Sequence, residues 1–220
     1  MEEYTYDYIH GTDIYLYQHK KMFRINTDTA LLAEFMQIRK NETVLDIGTN
    51  NGALLLAAHQ KGATKLIGVD IQEEAIQVAE KNMKHHKIDE VNLITGDVCD
   101  IDLPKVDVIV CNPPYFKVNE SSNINESKTL QIARHEQYLT LDRLCKKASE
   151  LLDKKGRMYL VHRPSRISEI IYVLKKYRLQ TRTLQFVYDE NRDEAVSVLI
   201  EAVKDGEEHT HVLKPRMVER

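Results

Sequence analysis

The chain has no run of apolar residues long enough to cross a bilayer, and Met1-Glu2-Glu3 opens no signal-peptide pattern. A membrane-embedded or secreted protein is not expected, and a cytoplasmic location is. Only three cysteines occur among 220 residues, Cys99, Cys111 and Cys145, without CxxC spacing or a nearby histidine group. That excludes a disulfide framework and a zinc site, so no metal is expected and the three read as small buried hydrophobes. No repeat and no low-complexity stretch is present, which leaves a globular domain.

A strong excess of one charge is also missing. The net charge of −3 would disfavour a polyanionic partner if it were spread evenly, but Asp142 to Leu184 holds twelve Lys and Arg against four acids, +8 against −11 elsewhere. Such a segment suits a polyanion if its helices display the charge on one side, and otherwise forms solvated helix faces.

What is present is an alternation of short apolar runs and amphipathic stretches. The composition, 42% hydrophobic and 30% charged, fits one domain with a six- or seven-stranded sheet over residues 1–220. An arm is expected at 1–26, a substrate-side flap at 117–136 and a basic tail at 204–220. The tyrosine-rich start suggests a short strand or a packed arm. Strands are predicted at Thr43–Ile47, Lys65–Asp70, Val91–Thr95, Val106–Cys111, Arg157–His162 and Val196–Val203, with Gln180–Val187 a further candidate. Helices are predicted over Ala30–Ile38, Gly52–Gln60, Glu73–His86, Leu139–Leu152 and Arg166–Tyr177. Alternation of this kind argues a parallel α/β sheet with right-handed crossovers.

Three successive strand ends carry ligand chemistry. Asp46-Ile47-Gly48-Thr49-Asn50-Asn51-Gly52 joins an acid to a glycine turn that opens a helix, and Asp70 follows Gly52 by 18 residues, where a carboxylate can accept ribose hydroxyls. Thr95-Gly96-Asp97 offers a further acid, suited to the amine of an adenine. A nicotinamide cofactor is disfavoured, because its fingerprint wants glycine at Gly48, Asn50 and Ala53 and two of the three fail. At the fourth strand end, Val108 to Phe116 reads Val-Ile-Val-Cys-Asn-Pro-Pro-Tyr-Phe. The Asn112 amide oxygen and the Pro113 carbonyl can each accept one proton of an exocyclic amine, and Tyr115 offers a face for an extruded base. An Asn-Pro turn closing a strand is the plain alternative. Cys111 is expected to pack rather than attack, and His135 and His162 to be structural.

Taken together, these motifs resemble class I S-adenosylmethionine-dependent methyltransferases of the amino-group type, whose acceptor motif is Asn/Asp-Pro-Pro-Tyr/Phe. The match runs from Arg24 to about Ala202. It is most similar to the bacterial tRNA1(Val) adenine-37 N6-methyltransferase family through Phe23 to Leu32, Asn112-Pro113-Pro114-Tyr115, Ala133-Arg134-His135-Glu136 and Leu160-Val161-His162-Arg163-Pro164. The resemblance implies a Rossmann-like, mostly parallel seven-stranded sheet with helices on both faces and an antiparallel last strand. It implies S-adenosylmethionine as cofactor, with Thr27 and Asp28 near its methionine end and Asp46, Gly48, Asn50 and Gly52 in the loop beneath. Asp70 with Ile71 would hold the ribose, and Asp97 with Val98 would flank the adenine. Asn112, Pro113 and Tyr115 would form the catalytic set, with Asn112 also touching the cofactor. Pro114, Phe116, Arg134, His135 and Arg163 would face substrate, the two arginines gripping phosphates of a tRNA anticodon stem-loop. No membrane or protein partner is implied.

Two departures stand out: Asn50 replaces a glycine usual in the class, and Lys214 to Arg220 is more basic than the family's terminus. Methyl transfer to an N6 amine by direct in-line displacement is the expected reaction. Ribosomal-RNA guanine-N2, DNA adenine and protein-glutamine N5 methylation share the acceptor motif. The glutamine enzymes carry a helical domain ahead of the first strand, whereas 42 residues precede Thr43 here. A non-catalytic RNA-binding module on the same scaffold is the remaining alternative.

Overall fold

The computed structural model describes residues 3–113 and 139–219. Strands β1 (Tyr4–Tyr8) and β2 (Tyr15–His19) form an antiparallel hairpin where an arm was expected. Helix α1 (Thr27–Phe35) follows, then β3 (Thr43–Ile47), α2 (Ala53–Gln60), β4 (Lys65–Asp70), α3 (Glu73–His85), β5 (Val91–Thr95) and β6 (Val106–Cys111). Beyond the undescribed segment come α4 (Leu141–Leu151), β7 (Leu152–His162), α5 (Ile167–Lys176), β8 (Leu179–Asp189) and β9 (Ala195–Lys204). Two short strands, β10 (His211–Val212) and β11 (Arg216–Val218), finish the chain.

The sheet runs β10-β8-β9-β7-β6-β3-β4-β5, with β11 also on β8. From β5 to β7 every neighbouring pair is parallel, and β9 is antiparallel to both β7 and β8. This is the expected seven-stranded class I methyltransferase sheet with an antiparallel last strand. It is extended by β10 and β11, which pair parallel with β8 and draw on the segment expected as a tail.

Alternation on the central strands sorts the core into two layers. Leu45 and Ile47 of β3 join Ile109 of β6 beneath α4 and α5, whereas Val44, Val108 and Val110 face α1 and α2. Side chains of successive strand residues point to opposite faces, so strands apolar on every residue need helices on both sides.

Several boundaries differ from expectation by a few residues, and two of the shifts have a visible cause. Helix α1 begins at Thr27 rather than Ala30, because the Asn26 side chain accepts the Thr29 N–H at 3.0 Å and closes a capping box. Strand β7 begins at Leu152 rather than Arg157, since Leu152 already pairs with Val106 before the register shifts. None of the described helices is long and apolar enough to cross a membrane.

The hairpin is fastened to the domain by two buried amides. Asn82 of α3 accepts the Tyr17 N–H at 2.7 Å and donates to the carbonyls of Tyr17 at 2.9 Å and Asn51 at 2.8 Å. Gln18 accepts the Ile25 N–H at 2.7 Å and donates to Asp7 at 2.6 Å. Asn82 is fully buried, so removing it strands backbone groups that water cannot reach. Each such group costs about 1–3 kcal/mol. Asn82→Ala is expected to lower unfolding stability by roughly 2–4 kcal/mol in urea titrations and to weaken ligand binding at the Asn51 loop, whereas an exposed change such as Lys84→Ala should leave both unchanged.

Candidate active site

The loop after β3 turns on three left-handed residues: Gly48 at φ +75°, Asn50 at +50° and Gly52 at +78°. Glycine takes that conformation without strain, and asparagine visits it more readily than other side chains. The departure at Asn50 is therefore accommodated, and its side chain is used, donating to the Phe23 carbonyl at 2.8 Å. The Gly48 and Thr49 N–H groups donate to Val69 O at 2.8 and 3.0 Å, binding the loop to β4.

Asp70, the last residue of β4, accepts the Asn50 N–H at 2.9 Å on one oxygen and the Gln72 N–H at 3.0 Å on the other. Two backbone donors thus aim a buried carboxylate at the loop. Asp46 lies deeper and is 1% exposed. The Thr49 hydroxyl donates to its Oδ2 at 2.9 Å, while its Oδ1 is buried with no hydrogen-bond partner. Burial pushes this carboxyl up to about 7 against the Thr49 bond, with the Asp70 charge assisting.

Asn112 emerges at the end of β6, and its Nδ2 donates to the Thr29 hydroxyl at 3.2 Å. Thr29 is held in turn by the capping box at the start of α1, so the cap orients the amide. Cys111, just before it, is 1% exposed, and burial raises its thiol well above the usual range. A thiol kept protonated at neutral pH is a packing group rather than a nucleophile.

These residues enclose a cavity of about 200 Å³, walled by Asp46, Gly48, Asn50, Asp70, Asn112 and Pro113 of the expected set. The facing wall comes from Phe23, Ile25, Asn26 and Thr29, none of which sequence reasoning assigned to a site. For Thr29 the signal was its capping-box spacing from Asn26; the others lay in the Phe23 to Leu32 motif without being given a role.

Seven expected site residues do not line the cavity. Thr27 opens α1 outside the lining, and Asp28 is buried with its carboxylate accepting the Ser197 hydroxyl at 2.6 Å. Gly52 instead begins α2 and backs onto α3, where a Cβ would lie 2.7 Å from the Met83 terminal methyl. Ile71 is exposed just past β4, and Val98 is packed in the core. Asp97 receives Arg143 at 3.0 Å and the Cys99 N–H at 2.9 Å. Arg163 precedes a 3₁₀ turn over Pro164–Arg166. Its N–H donates to His162 Nδ1 at 2.8 Å, and burial pushes that imidazole down to about 4. Pro114, Tyr115, Phe116, Arg134, His135 and the flap at 117–136 lie outside the described residues.

The basic segment is largely engaged within the protein. Arg157 is buried against Glu42 at 2.6 Å, Arg166 pairs with Glu169 at 2.7 Å and Lys176 with Asp142 at 2.6 Å. No group of three or more His, Cys, Asp or Glu side chains is disposed to hold a metal among the described residues.

A methyltransferase-domain family model matches residues 38–212. The chain is 33% identical to the tRNA1(Val) (adenine(37)-N6)-methyltransferase of Vibrio vulnificus over 62% of this chain and 57% of that one. It is 27% identical to the same-named enzyme of Phocaeicola vulgatus over 84% and 79%. A Methanocaldococcus jannaschii protein, provisionally named a protein N5-glutamine methyltransferase, is 33% identical over 49% of this chain and 54% of its own. The matched part therefore spans little more than half the length of two of these three relatives. The M. jannaschii tRNA m1G37 methyltransferase structure superposes with a TM-score of 0.68 at 15% identity, covering 94% of this chain and 58% of that one, a likeness of fold.

The raised Asp46 carboxyl has a consequence for stability. Its folded value of about 7 lies above the ordinary 3.8, so the folded state holds the proton more tightly and loses stability as pH rises from about 4 to 7. At about 1.4 kcal/mol per pKa unit the penalty above pH 7 is roughly 4 kcal/mol. Asp46→Asn is expected to melt at the same temperature as wild type near pH 4 and several degrees higher at pH 8; equal melting at both would mean the carboxylate carries no such penalty.

Proposed function

The chain belongs to the methyltransferase-domain family, and from that premise we propose that it methylates N6 of an adenosine in tRNA, position 37 of tRNA1(Val), with S-adenosylmethionine as donor. The observation that carries the reading is the convergence of Asn112-Pro113 with Asp46, Gly48 and Asp70 on one cavity. The donor set suits the cofactor. Asp46 offers a buried carboxylate with an unpartnered oxygen beside the loop, fit for a cationic end, and Asp70 is aimed by two N–H groups at a position for ribose hydroxyls.

When bound, S-adenosylmethionine would supply an electrophilic sulfonium methyl open to in-line attack by a nitrogen, with S-adenosylhomocysteine as the leaving thioether. The protein's part is to hold the nucleophile. With Nδ2 engaged by Thr29, the Asn112 amide turns its oxygen the other way, where it can accept one proton of the adenine amine. The Pro113 carbonyl, on a residue with no N–H, can accept the second. Accepting a hydrogen bond from each N–H draws electron density back to the nitrogen and fixes its approach, and the one proton lost after transfer passes to solvent, so catalysis rests on positioning. Tyr115 would stack on the flipped base, and Arg134 and Arg163 would contact phosphate.

The tRNA assignment is supported by the two tRNA1(Val) enzymes, one matching most of this chain. The M. jannaschii relative supports a second reading, methylation of a protein glutamine amide, with Asn112 and Pro113 in the same roles. Incubating total bacterial tRNA with labelled S-adenosylmethionine and digesting it to nucleosides for mass spectrometry separates the two. Wild type is expected to form N6-methyladenosine, and Asn112→Ala to lose about a hundredfold or more in rate while still binding the cofactor. Unlabelled tRNA, beside labelled glutamine in bacterial protein offered in a parallel reaction, would replace this reading with the second.

A further inference from the structure

The outer face of the N-terminal hairpin holds chemistry that methyl transfer does not use. β1 pairs with β2 in the register Tyr4↔His19, Tyr6↔Tyr17 and Tyr8↔Tyr15, so one face carries five tyrosines and a histidine. The opposite face turns Leu16 and Gln18 into the protein. Tyr6, Tyr8 and Tyr15 remain 49%, 51% and 49% exposed. Their rings form a ladder, with Tyr6 and Tyr15 stacked at 5.8 Å and 22°, and Tyr8 and Tyr15 at 5.7 Å.

A lysine and a histidine of α3 brace this ladder. Lys81 Nζ sits 4.4 Å from the Tyr4 ring centroid and 4.3 Å from that of Tyr17, and the Tyr6 hydroxyl meets His85 Nε2 at 2.9 Å. Lys84 is exposed on the same helix. Protein interfaces also use tyrosine but deplete lysine, so Lys81 and Lys84 beside the half-exposed rings favour a polyanionic partner. A π-face accepts any base, and neighbouring cations accept phosphate.

The platform has a fixed relation to the cavity. Its inner edge is bonded through Gln18 to Ile25, which lines the cavity, and through Asn82 to the loop carbonyl of Asn51. Past His19, the end of β2, the chain reaches Phe23 at the cavity wall within four residues.

We propose that the tyrosine face is a stacking platform for unpaired bases of the RNA substrate, holding nucleotides other than the one taken into the cavity. The inference rests on the tRNA reading above and adds a binding surface outside the expected site residues. It accounts for a tyrosine-rich start that the methyl-transfer chemistry leaves without a role.

The test uses the full chain and total bacterial tRNA, comparing wild type with the triple variant Tyr6→Ala, Tyr8→Ala, Tyr15→Ala and its triple Phe counterpart. Methyl-transfer kinetics, cofactor affinity by calorimetry and oligomeric state by sedimentation are read together. The Ala variant is expected to raise KM for tRNA about tenfold or more, with kcat at saturating tRNA and cofactor affinity as in wild type, and the Phe variant to match wild type. Should the triple Ala chain fail to fold, Tyr8→Ala alone, at the open end of the ladder, is expected to raise KM severalfold. An unchanged KM beside normal wild-type methylation would overturn the platform and leave the tRNA reading standing. A loss of kcat or of cofactor affinity would make the ladder structural, and a shift in oligomeric state would make it a contact between copies; either overturns the proposal. Wild type that methylates no tRNA would sink the tRNA reading and the platform with it.

Discussion

The cavity depends on the register of three parallel strands. Ile47 of β3 lies opposite Val69 of β4 and Cys111 of β6, so β3 and β6 stop at one level and β4 one residue later, at Asp70. The residues just beyond, Gly48, Asp70 and Asn112, emerge side by side although they come from distant parts of the sequence. Slipping β3 by one residue would exchange its two faces, moving Val44 and Leu45 to the wrong helical layers. The two-layer core resists that exchange, and so protects the alignment of the cavity walls.

On that floor, short polar contacts set individual orientations. The capping box that begins α1 also holds the Thr29 hydroxyl that receives Asn112, so a helix start and a candidate catalytic amide share one network. Asp70 is aimed by two backbone donors, a rigid arrangement because neither N–H can swing away. Asp46 is the exception, a deeply buried carboxylate only half satisfied within the protein. Such an arrangement costs folding energy whenever the carboxyl is ionised.

Much of this was legible in the sequence. β3, β4, β5 and β6 end where expected because each is a short apolar run bounded by turn residues, and Gly48, Asp70 and Asn112 follow directly from those ends. Less legible were contacts that cross the fold. Nothing near Asp28 announces Ser197, 169 positions away, and nothing near Asp97 announces Arg143. Both acids were placed by motif, whereas their surroundings are decided by which helix or strand packs alongside. The basic segment misled in a similar way, since Arg157 counts as surface charge in a composition and as a buried partner of Glu42 in the fold. The facing wall of the cavity, Phe23 to Asn26, has no periodicity and depends on the docked hairpin.

That docking bears on how the molecule assembles. Asn82 joins Tyr17, 65 residues earlier, and Asn51, 31 residues earlier. Contacts this far apart are entropically costly to close and form after local elements have condensed. The hairpin is thus expected to dock late, once α3 has formed and packed against the sheet. Until it arrives, Asn82 already holds the loop carbonyl of Asn51 but the Tyr17 N–H and carbonyl are not yet bonded to it, and the wall that follows β2, from Phe23 to Asn26, is not yet set against the cavity.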